Sequence, residues 1–299
     1  KASDAVYQLP VNEKAPYKSV LTHGFTVDKN GEKMSKSKGN VIAPDAVAKE
    51  FGVEILRLWV SLSDYSSDLK IGNDILKQVA EQYRKIRNTI RFLLANISDL
   101  KEFNYEFGLL DRWILGKASA CFNEVSNCFK NYEYSKGFNI LLNFLSGDLS
   151  GIYLDICKDR LYCDAANSTK RASSQTAMAL ITKALLPLIA PTLTYTVDEV
   201  MEYAPSIIKD GKSDVFDLVY EPIKFDSVID DTLLRESKEK FNEIIDNLKK
   251  DKLIKATLEL EIQTSSDSIL ALDKDEVADW YMVSNFGVFR VDSDILAEF

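Results

Sequence analysis

One long amphipathic helix dominates the hydrophobic pattern of this chain. Over residues 73–100, apolar side chains recur at steps of three and four residues, which is the spacing of a single helix face. The opposite face is basic, and its members fall within about a quarter-turn of one another at about 100° per residue. The apolar stripe consists of Ile75, Val79, Tyr83, Ile86, Ile90, Leu93, Ile97 and Leu100, and the basic face of Lys77, Arg84, Arg87 and Arg91.

The basic face has two interpretations. Most surface helices carry a charged face that is simply solvated. Here the basic residues have almost no acids among them, and three of the four are arginines, whose planar guanidinium groups grip phosphate in a bidentate manner. The pattern therefore predicts a phosphate-binding surface, with a solvated helix face as the alternative.

Shorter elements precede this helix. Pro44 and Asp45 suit the first turn of a helix that ends near Gly52, and a second helix follows through residues 55–62. Residues 19–22 and 66–71 are predicted to form short strands.

Helices also dominate the central part of the chain. A near-heptad apolar stripe covers residues 110–132, and Thr196 with Glu199 has the spacing of a capping box at a helix start. Short polar loops between the segments predict antiparallel neighbours. The remaining amphipathic segments lie at 135–145, 149–162 and 174–190.

The last part of the chain has a mixed pattern. Residues 232–249 form a charged amphipathic helix, whereas residues 257–262 alternate as a half-buried strand and 285–291 resemble a second strand. Trp280 and Tyr281 are predicted to pack its core. The fold class is therefore mainly α, with a small α+β piece at the end.

Composition indicates a globular protein. With 299 residues and 46% hydrophobic content, the chain can bury a core in two or three units. No run of about 18 apolar residues and no signal sequence is found, so we expect a cytoplasmic chain that does not span a membrane. The separations between Cys121, Cys128, Cys157 and Cys163 do not fit paired metal ligands, so we expect reduced thiols and no metal site.

The net charge of −9 argues against a simple nucleic-acid-binding domain. The charge is uneven, however, because residues 226–299 contain 18 acidic and 9 basic residues. Any phosphate-binding surface is therefore expected earlier in the chain.

A lysine-rich loop is the most informative motif. Lys33-Met34-Ser35-Lys36-Ser37 lies in a segment that is rich in glycine and serine, which is typical of a surface loop that brings ammonium and hydroxyl groups to a polyanion. A solvated lysine loop is the simpler interpretation. Five fixed residues in order, however, occur by chance at only about one in three million positions of average composition.

The loop resembles the K-M-S-K-S signature of class I aminoacyl-tRNA synthetases. Its flanks, residues 21–25 and 41–45, are similar to those of isoleucyl-type members. The resemblance implies that ATP, accompanied by Mg²⁺, binds here. Lys36 would contact the triphosphate, Lys33 would help to hold the closed loop, and Ser35 and Ser37 would bond phosphate oxygens or the loop backbone.

A second signature of that family, H-x-G-H, cannot be present because His23 is the only histidine. We therefore expect a fragment of a larger enzyme that is inactive by itself. His23 is predicted to pack at the end of the strand over residues 19–22 rather than to act as a catalyst.

The resemblance also implies a tRNA partner. Residues 83–94 are the strongest isoleucyl-type match outside the loop. In the family, the connector that contains this segment contacts the inner side of the tRNA stem. The resemblance therefore implies that Lys77, Arg84, Arg87 and Arg91 lie against tRNA. Residues 153–162 are similar to a helix of the anticodon-binding bundle. Lys158 and Arg160 are candidate tRNA contacts there, but ion pairs with Asp155 and Asp159 are an equally simple interpretation.

The predicted organisation has four parts. Residues 1–40 would be the end of a Rossmann-type catalytic domain, 41–104 a mixed α/β connector, 105–225 the helical anticodon-binding domain and 226–299 a small α+β region. The expected function is that of an ATP-dependent, AMP-forming isoleucine–tRNA ligase fragment from a monomeric enzyme. The alternatives are a valyl- or leucyl-type fragment, or a helical binding protein without catalysis.

Overall fold

The computed structural model describes residues 17–225, 229–264, 269, 272–283, 285–288 and 295–298. The chain divides into two compact units, residues 1–80 and 81–299. The described elements are mainly helical, as predicted. Whether the boundaries predicted at 40, 104 and 225 separate domains stays a prediction.

The first unit contains a small parallel sheet and short helices. Strand β1 (Thr26–Asp28) pairs with β2 (Leu69–Ile71) in parallel. Helices α1 (Pro44–Glu50) and α2 (Val53–Leu62) follow the lysine loop as predicted, and α3 (Asn73–Asn96) begins after β2. Apolar side chains of the strands and of α1 and α2 are buried in its core: Val27, Val47, Ile55, Leu58, Trp59, Leu69 and Ile71.

The strand predicted over residues 19–22 is absent, because the chain first pairs with β2 at Thr26. His23 is exposed, so its prediction as a packed residue is also wrong. The neighbouring Gly24 has a structural role. A Cβ atom at this position would lie 2.2 Å from the Ser67 carbonyl oxygen, so only glycine allows the backbone of this segment to approach so closely.

The second unit is built mainly on helices. Its central helices are α4 (Leu109–Lys130), α5 (Tyr134–Tyr162), α6 (Thr169–Ile189), α7 (Thr194–Tyr203) and the short α8 (Ser206–Lys209). Buried side chains of these helices form a core in this unit, which includes Trp113, Phe122, Phe138 and Leu185.

Helix α5 corrects the prediction of two separate segments. The residues between the two predicted segments, Ser146, Gly147 and Asp148, are weak helix formers. The structure continues through them as a π-helical stretch, Phe144–Tyr153, because Phe144 and Tyr153 are buried in the core and packing overrides propensity.

Length and composition alone would allow α5 to cross a membrane, which differs from the expectation drawn from the sequence. Half of its most apolar 18-residue stretch is buried inside the protein. The core helix of a globular bundle has these same properties.

Helix α7 corrects the predicted capping box. The helix begins at Thr194, and Leu193 precedes it without a side-chain cap. Thr196 is buried instead, with its hydroxyl 2.8 Å from the Tyr83 hydroxyl, and the carboxylate of Glu199 binds Arg87. Contacts between α3 and α7 therefore use the two residues that had the capping pattern.

The C-terminal elements pack within the second unit. Helix α9 (Thr232–Lys250) is followed by β3 (Glu261–Thr264), α10 (Lys274–Tyr281), β4 (Asn285–Val288) and β5 (Ile295–Glu298). β3 is central, parallel to β4 and antiparallel to β5. The strand predicted at 257–262 begins later, because Thr257–Glu259 form a 3-10 turn, and residues 289–291 of the other predicted strand lie outside the described residues. Trp280 and Tyr281 are buried, as predicted.

Candidate functional site

Asp28 organises the loop that carries the lysines. Its Oδ1 accepts hydrogen bonds from the backbone amides of Asn30 and Glu32, each at 2.9 Å. Its Oδ2 accepts a bond of 2.8 Å from the side-chain amide of Asn40. The bond from Asn40, together with that from the Glu32 amide, lowers the pKa of Asp28 below its ordinary value of 3.8. An ionised Asp28 therefore joins the two ends of the loop.

Asn40 completes this connection. Its Oδ1 accepts a hydrogen bond of 2.9 Å from the Ser35 amide, and its Nδ2 lies 3.4 Å from the Lys33 carbonyl oxygen. Lys33 also pairs with Val27 in an antiparallel bridge. These contacts with Asn40 and Val27 fix the backbone on both sides of Met34, whose side chain is half-buried.

The second half of the motif is a 3-10 turn, Lys36–Lys38. Ser35 caps it by accepting a bond of 3.3 Å from the Lys38 amide, and the hydroxyls of Ser35 and Ser37 lie 3.2 Å apart. Gly39 ends the turn with φ of 68°, a conformation that favours glycine. The turn gives its exposed lysines a defined backbone.

The lysines differ in their partners. Lys38 forms an ion pair of 3.1 Å with Glu32, and the Lys33 ammonium lies 6.0 Å from the centre of the Phe25 ring. Lys36 is exposed and forms no ion pair with any described residue. Neither lysine of the motif thus forms an ion pair with a described residue, and Lys36 differs from Lys33 in having no described aromatic ring beside its ammonium group either.

Asp28 and Asn40 were missed in the sequence analysis, which concentrated on the cations. A signal was present, because Asp28-Lys29-Asn30-Gly31 has the composition of a tight turn in which an aspartate bonds backbone amides two residues later. The contact with Asn40 was not predictable, because it joins residues at opposite ends of the loop.

The basic face of α3 is exposed, but it is not free of acids. Arg84 forms an ion pair with Glu81, and Arg87 holds both carboxylate oxygens of Glu199 on α7 at 2.9 Å. Arg91 is exposed and has no ion pair among the residues that the structure describes. The acid that neutralises Arg87 comes from a distant part of the sequence, which is why the pattern did not reveal it.

A groove of about 500 Å³ lies between α3 and α7. Ile90, Leu94 and Val200 contribute its apolar lining, and Arg87 and Arg91 are among its polar residues. The arginines therefore lie beside an open concave surface rather than on a flat helix face.

Lys77 lies on the part of α3 that belongs to the first unit, where it is exposed and has no described ion-pair partner.

Lys158 and Arg160 have different environments. Lys158 is half exposed and forms an ion pair of 2.6 Å with Asp155, one of the two partners considered from the sequence. Arg160 is buried. Its guanidinium group binds Asp279 at 2.6 Å and lies 3.7 Å from Asp111, so it is unavailable to an external ligand. This corrects its prediction as a tRNA contact.

Arg160 belongs to a buried polar network. Asp111 accepts hydrogen bonds from Tyr153 at 2.7 Å, from Ser173 at 2.9 Å and from Ser174 at 3.0 Å. Burial alone would lower the pKa of Arg160, but Asp111, Cys157 and Asp279 together outweigh this effect and raise it. The network connects α4, α5, α6 and α10, so its role is structural.

The cysteines are all free, as predicted, and Cys163 alone among them is exposed. Burial raises the pKa of Cys121 and of Cys157 to about 12, so both remain thiols. Within the described ranges, no three His, Cys, Asp or Glu side chains form a group that could hold a metal ion.

Two protein families match this chain. Residues 2–72 match the class I tRNA synthetases (I, L, M and V), and residues 111–264, more than half of the chain, match the anticodon-binding domain of tRNA ligase. The first match contains the lysine loop and the second contains the helical bundle.

Curated relatives are similar over nearly the whole chain. The isoleucine–tRNA ligase of Campylobacter fetus subsp. fetus (strain 82-40) is 71% identical over 298 residues, which are 99% of this chain and 32% of the relative. The isoleucine–tRNA ligase of Campylobacter concisus (strain 13826) is 67% identical, over 99% of this chain and 32% of the relative. That of a Nitratiruptor species is 57% identical, with coverage of 95% and 32%. The chain spans about a third of the length of these relatives.

Solved structures share the fold. A LeuRS of Agrobacterium radiobacter K84, in a ternary complex with tRNA and LeuAMS, gives a TM-score of 0.53 at 16% identity and covers 74% of this chain and 27% of that one. The methionyl-tRNA synthetase of Mycobacterium tuberculosis, in complex with methionyl-adenylate, gives a TM-score of 0.51 at 20% identity. The match covers 63% of this chain and 39% of that one. The resemblance inferred from the lysine motif is thus confirmed: the chain belongs to the class I tRNA synthetase family, and its helical bundle is the anticodon-binding domain of that family.

Proposed function

We propose that this chain is part of an isoleucine–tRNA ligase that activates isoleucine with ATP and transfers it to tRNA(Ile). The observation that carries the proposal is the 71% identity to an isoleucine–tRNA ligase over 99% of the chain. That alignment spans the lysine loop, the basic helix and the bundle.

In this reaction the isoleucine carboxylate attacks the α-phosphate of ATP. Pyrophosphate leaves, and negative charge develops on the transferring and leaving phosphates. A cation that is already in place lowers that barrier, and one well-positioned donor contributes about a hundredfold or more in rate. Lys36 is exposed and has no ion pair with a described residue, which supports its assignment to the triphosphate. The bridge from Lys33 to Val27 supports a role for Lys33 in holding the loop.

Magnesium would arrive with the nucleotide rather than be held by this loop. The two carboxylates of the loop are engaged, Asp28 by Asn30, Glu32 and Asn40, and Glu32 by Lys38. The remaining donors are ammonium and hydroxyl groups, which fit phosphate oxygens rather than a divalent cation. We therefore assign no step to metal ligands in this loop.

For tRNA, we propose that Arg84, Arg87 and Arg91 contact backbone phosphates beside the groove between α3 and α7. Arg91 offers a guanidinium group that has no ion pair with any residue the structure describes, whereas Arg84 and Arg87 would exchange carboxylate partners for phosphate. Lys77 and Lys158 remain in the proposal as exposed cations. Arg160 is left out because it is buried.

A valyl- or leucyl-type enzyme is the second candidate, since the lysine motif and the fold are shared within the family. The names of the similar curated relatives favour isoleucine. The family matches also weigh against a binding protein without catalysis. We further propose a monomeric, cytoplasmic parent enzyme.

Amino-acid-dependent exchange of pyrophosphate into ATP by the full-length parent protein tests this function. Isoleucine should support exchange with a kcat/KM about a hundredfold above that for valine, which lacks one methylene. It should also be preferred over leucine, an isomer whose side chain branches one carbon further out. Exchange that prefers valine or leucine would replace the proposal by the corresponding alternative. No exchange with any of the three would contradict it.

A further inference from the structure

Helix α9 places two cations against two tryptophans. The Arg235 guanidinium carbon lies 5.4 Å from the centre of the Trp113 ring, and the Lys238 ammonium lies 5.6 Å from the centre of the Trp280 ring. The two rings are buried and meet edge to face, with their centres 5.0 Å apart. Residues three apart share one face of a helix, so both cations lie on the side of α9 that meets these rings.

The two cations differ in their partners. Arg235 forms ion pairs with Asp231 and Asp148. Lys238 forms no ion pair with any described residue, and its ammonium group instead donates a hydrogen bond of 2.7 Å to the Trp280 carbonyl oxygen. Helix α10 ends one residue later, so this carbonyl is one of the terminal acceptors that the amides of the helix itself do not reach. Lys238 is thus held by two neutral groups, a carbonyl dipole and an indole face.

The other polar groups around Lys238 are engaged elsewhere. Asp155 on α5 is the carboxylate that acts on Lys238, but it lies beyond ion-pair distance and binds Lys158 at 2.6 Å. The Tyr281 hydroxyl on α10 forms its hydrogen bond with Ser237. The charge of Lys238 is therefore poorly compensated for a side chain in this position.

Burial is the dominant effect on this amine. It lowers the pKa of Lys238 to about 8, although Asp155 acts to raise it. At pH 8 about half of the Lys238 side chains are then neutral, whereas an ordinary lysine with a pKa of about 10.4 is neutral in about one molecule in 250. The neutral amine is the nucleophilic form. Lys238 is only half-buried, which leaves part of the side chain open to a small reagent.

We propose that Lys238 is a modification site, whose amine is acylated by small acyl phosphates. The nitrogen attacks the acyl carbon, a C–N bond forms, and the C–O bond to the phosphate breaks. Inorganic phosphate leaves with the bonding electron pair, and the amine proton passes to water, with no oxidation or reduction. The reaction needs no ATP, amino acid or tRNA, so it does not rest on the function proposed above.

Acylation would weaken the attachment of α10. The amide product keeps one N–H for the Trp280 carbonyl, but it carries no charge over the indole ring, and the acyl group needs space beside that ring. Helix α10 also supplies Asp279 to Arg160, and its Glu276 accepts a hydrogen bond of 2.7 Å from the Leu109 amide. The modification therefore acts on the contact between α10 and the helical bundle.

The test treats the 299-residue chain with acetyl phosphate and measures the initial rate of acetylation of each lysine by peptide mass spectrometry. At pH 8, Lys238 should be acetylated about tenfold faster than Lys250, an exposed lysine at the end of the same helix. The advantage is smaller than the ratio of neutral amines because a less basic amine is also a weaker nucleophile. The rate at Lys238 should level off above about pH 8–9, where an ordinary lysine still gains neutral amine.

A substitution on α9 tests the role of the missing carboxylate. Asn242 is exposed one turn after Lys238, so Asn242→Glu should favour the ammonium form and slow acetylation of Lys238 at pH 8 by about threefold or more. Asn242→Gln is the neutral control and should leave the rate unchanged. Equal rates at Lys238 and Lys250, or a rate at Lys238 that Asn242→Glu does not lower, would overturn the inference.

Amide hydrogen exchange tests the effect on α10. Lys238→Gln places a neutral amide at the modified position and should accelerate exchange in α10 by at least about threefold, whereas Lys250→Gln should not. Unchanged exchange of α10 in Lys238→Gln would overturn the coupling between this site and α10.

Discussion

The side-chain amide of Asn40 donates a hydrogen bond of 2.8 Å to the carboxylate of Asp28, across twelve residues of chain. This bond joins the start of the lysine loop to its end. The same carboxylate also accepts hydrogen bonds from two backbone amides. The geometry of the loop therefore depends on a negative charge that the protein itself provides. The cations of the motif are thus positioned by a residue outside the motif.

The first prediction is that Asp28→Asn loosens the loop. The new amide cannot accept three bonds, and its NH₂ group would face the NH₂ group of Asn40. Amide hydrogen exchange in Asn30, Glu32 and Ser35 should accelerate at least about tenfold, while α2 keeps its protection.

Asp64→Asn is the control for that change, because Asp64 also accepts hydrogen bonds in a turn of the first unit, from Ser66. It should leave the exchange of the loop unaltered. Unchanged protection of Glu32 and Ser35 in Asp28→Asn would refute the organising role of Asp28.

The second prediction concerns acid stability. Burial alone would raise the pKa of Asp231, but hydrogen bonds from Arg235, Lys117 and Trp113 outweigh burial and lower it from 3.8 to about 2. A lowered folded-state pKa gives stability that is complete above about pH 4 and lost as the pH falls toward 2. The contribution is about 2 kcal/mol.

In Asp231→Asn, the free energy of unfolding, measured by urea denaturation, should therefore decrease less steeply as the pH falls from about 4 to 2. Asp198→Asn, at an exposed position on α7, should keep the original slope. If Asp231→Asn has the same pH profile of stability as the unmodified 299-residue chain, these hydrogen bonds do not control acid stability.

The third prediction separates Lys158 from Arg160, which the sequence pattern treated alike. Arg160→Gln leaves Asp111 buried without its cation and should destabilise the fold by about 3–5 kcal/mol. Lys158→Gln removes an exposed ion pair and should cost less than about 1 kcal/mol. Thermal unfolding measures both. Equal effects would mean that the Arg160 network does not stabilise the bundle.

This pair also shows how far the sequence reaches. Helix periodicity predicted the apolar faces of α3 and α4 because each face repeats along one element. It could not separate Lys158 from Arg160, since the burial of Arg160 depends on Asp111 and Asp279 in other helices. Glu199 was misassigned for the same reason: its partner Arg87 lies 112 residues away. The lysine motif identified the family because its function requires neighbouring residues in order.

The fourth prediction concerns the arginines of α3. Replacing Arg84, Arg87 and Arg91 by glutamine should lower the log–log salt slope of tRNA binding by about two to three, at about 0.9 per phosphate contact. Glutamine in place of Lys249 and Lys250, which are exposed on the acidic tail, should leave the slope unchanged.

Glu199→Gln should have the opposite effect on tRNA affinity. It frees the Arg87 guanidinium group from its carboxylate partner, so tRNA binding should become tighter. Titration of labelled tRNA at several salt concentrations provides all three results. If the arginine variant keeps the slope of the unmodified chain, this face is only solvated and does not bind tRNA.

The most direct test of the central claim is isoleucine-dependent pyrophosphate exchange by the parent enzyme with Lys36→Ala. The exposed ammonium group of Lys36 is assigned to the triphosphate, so kcat should fall about a hundredfold or more while the KM for isoleucine stays nearly constant. Lys49→Ala, at an exposed lysine of α1 outside the loop, should exchange at the normal rate. A normal rate in Lys36→Ala, or an equal loss in Lys49→Ala, would contradict the assignment of this loop to ATP activation.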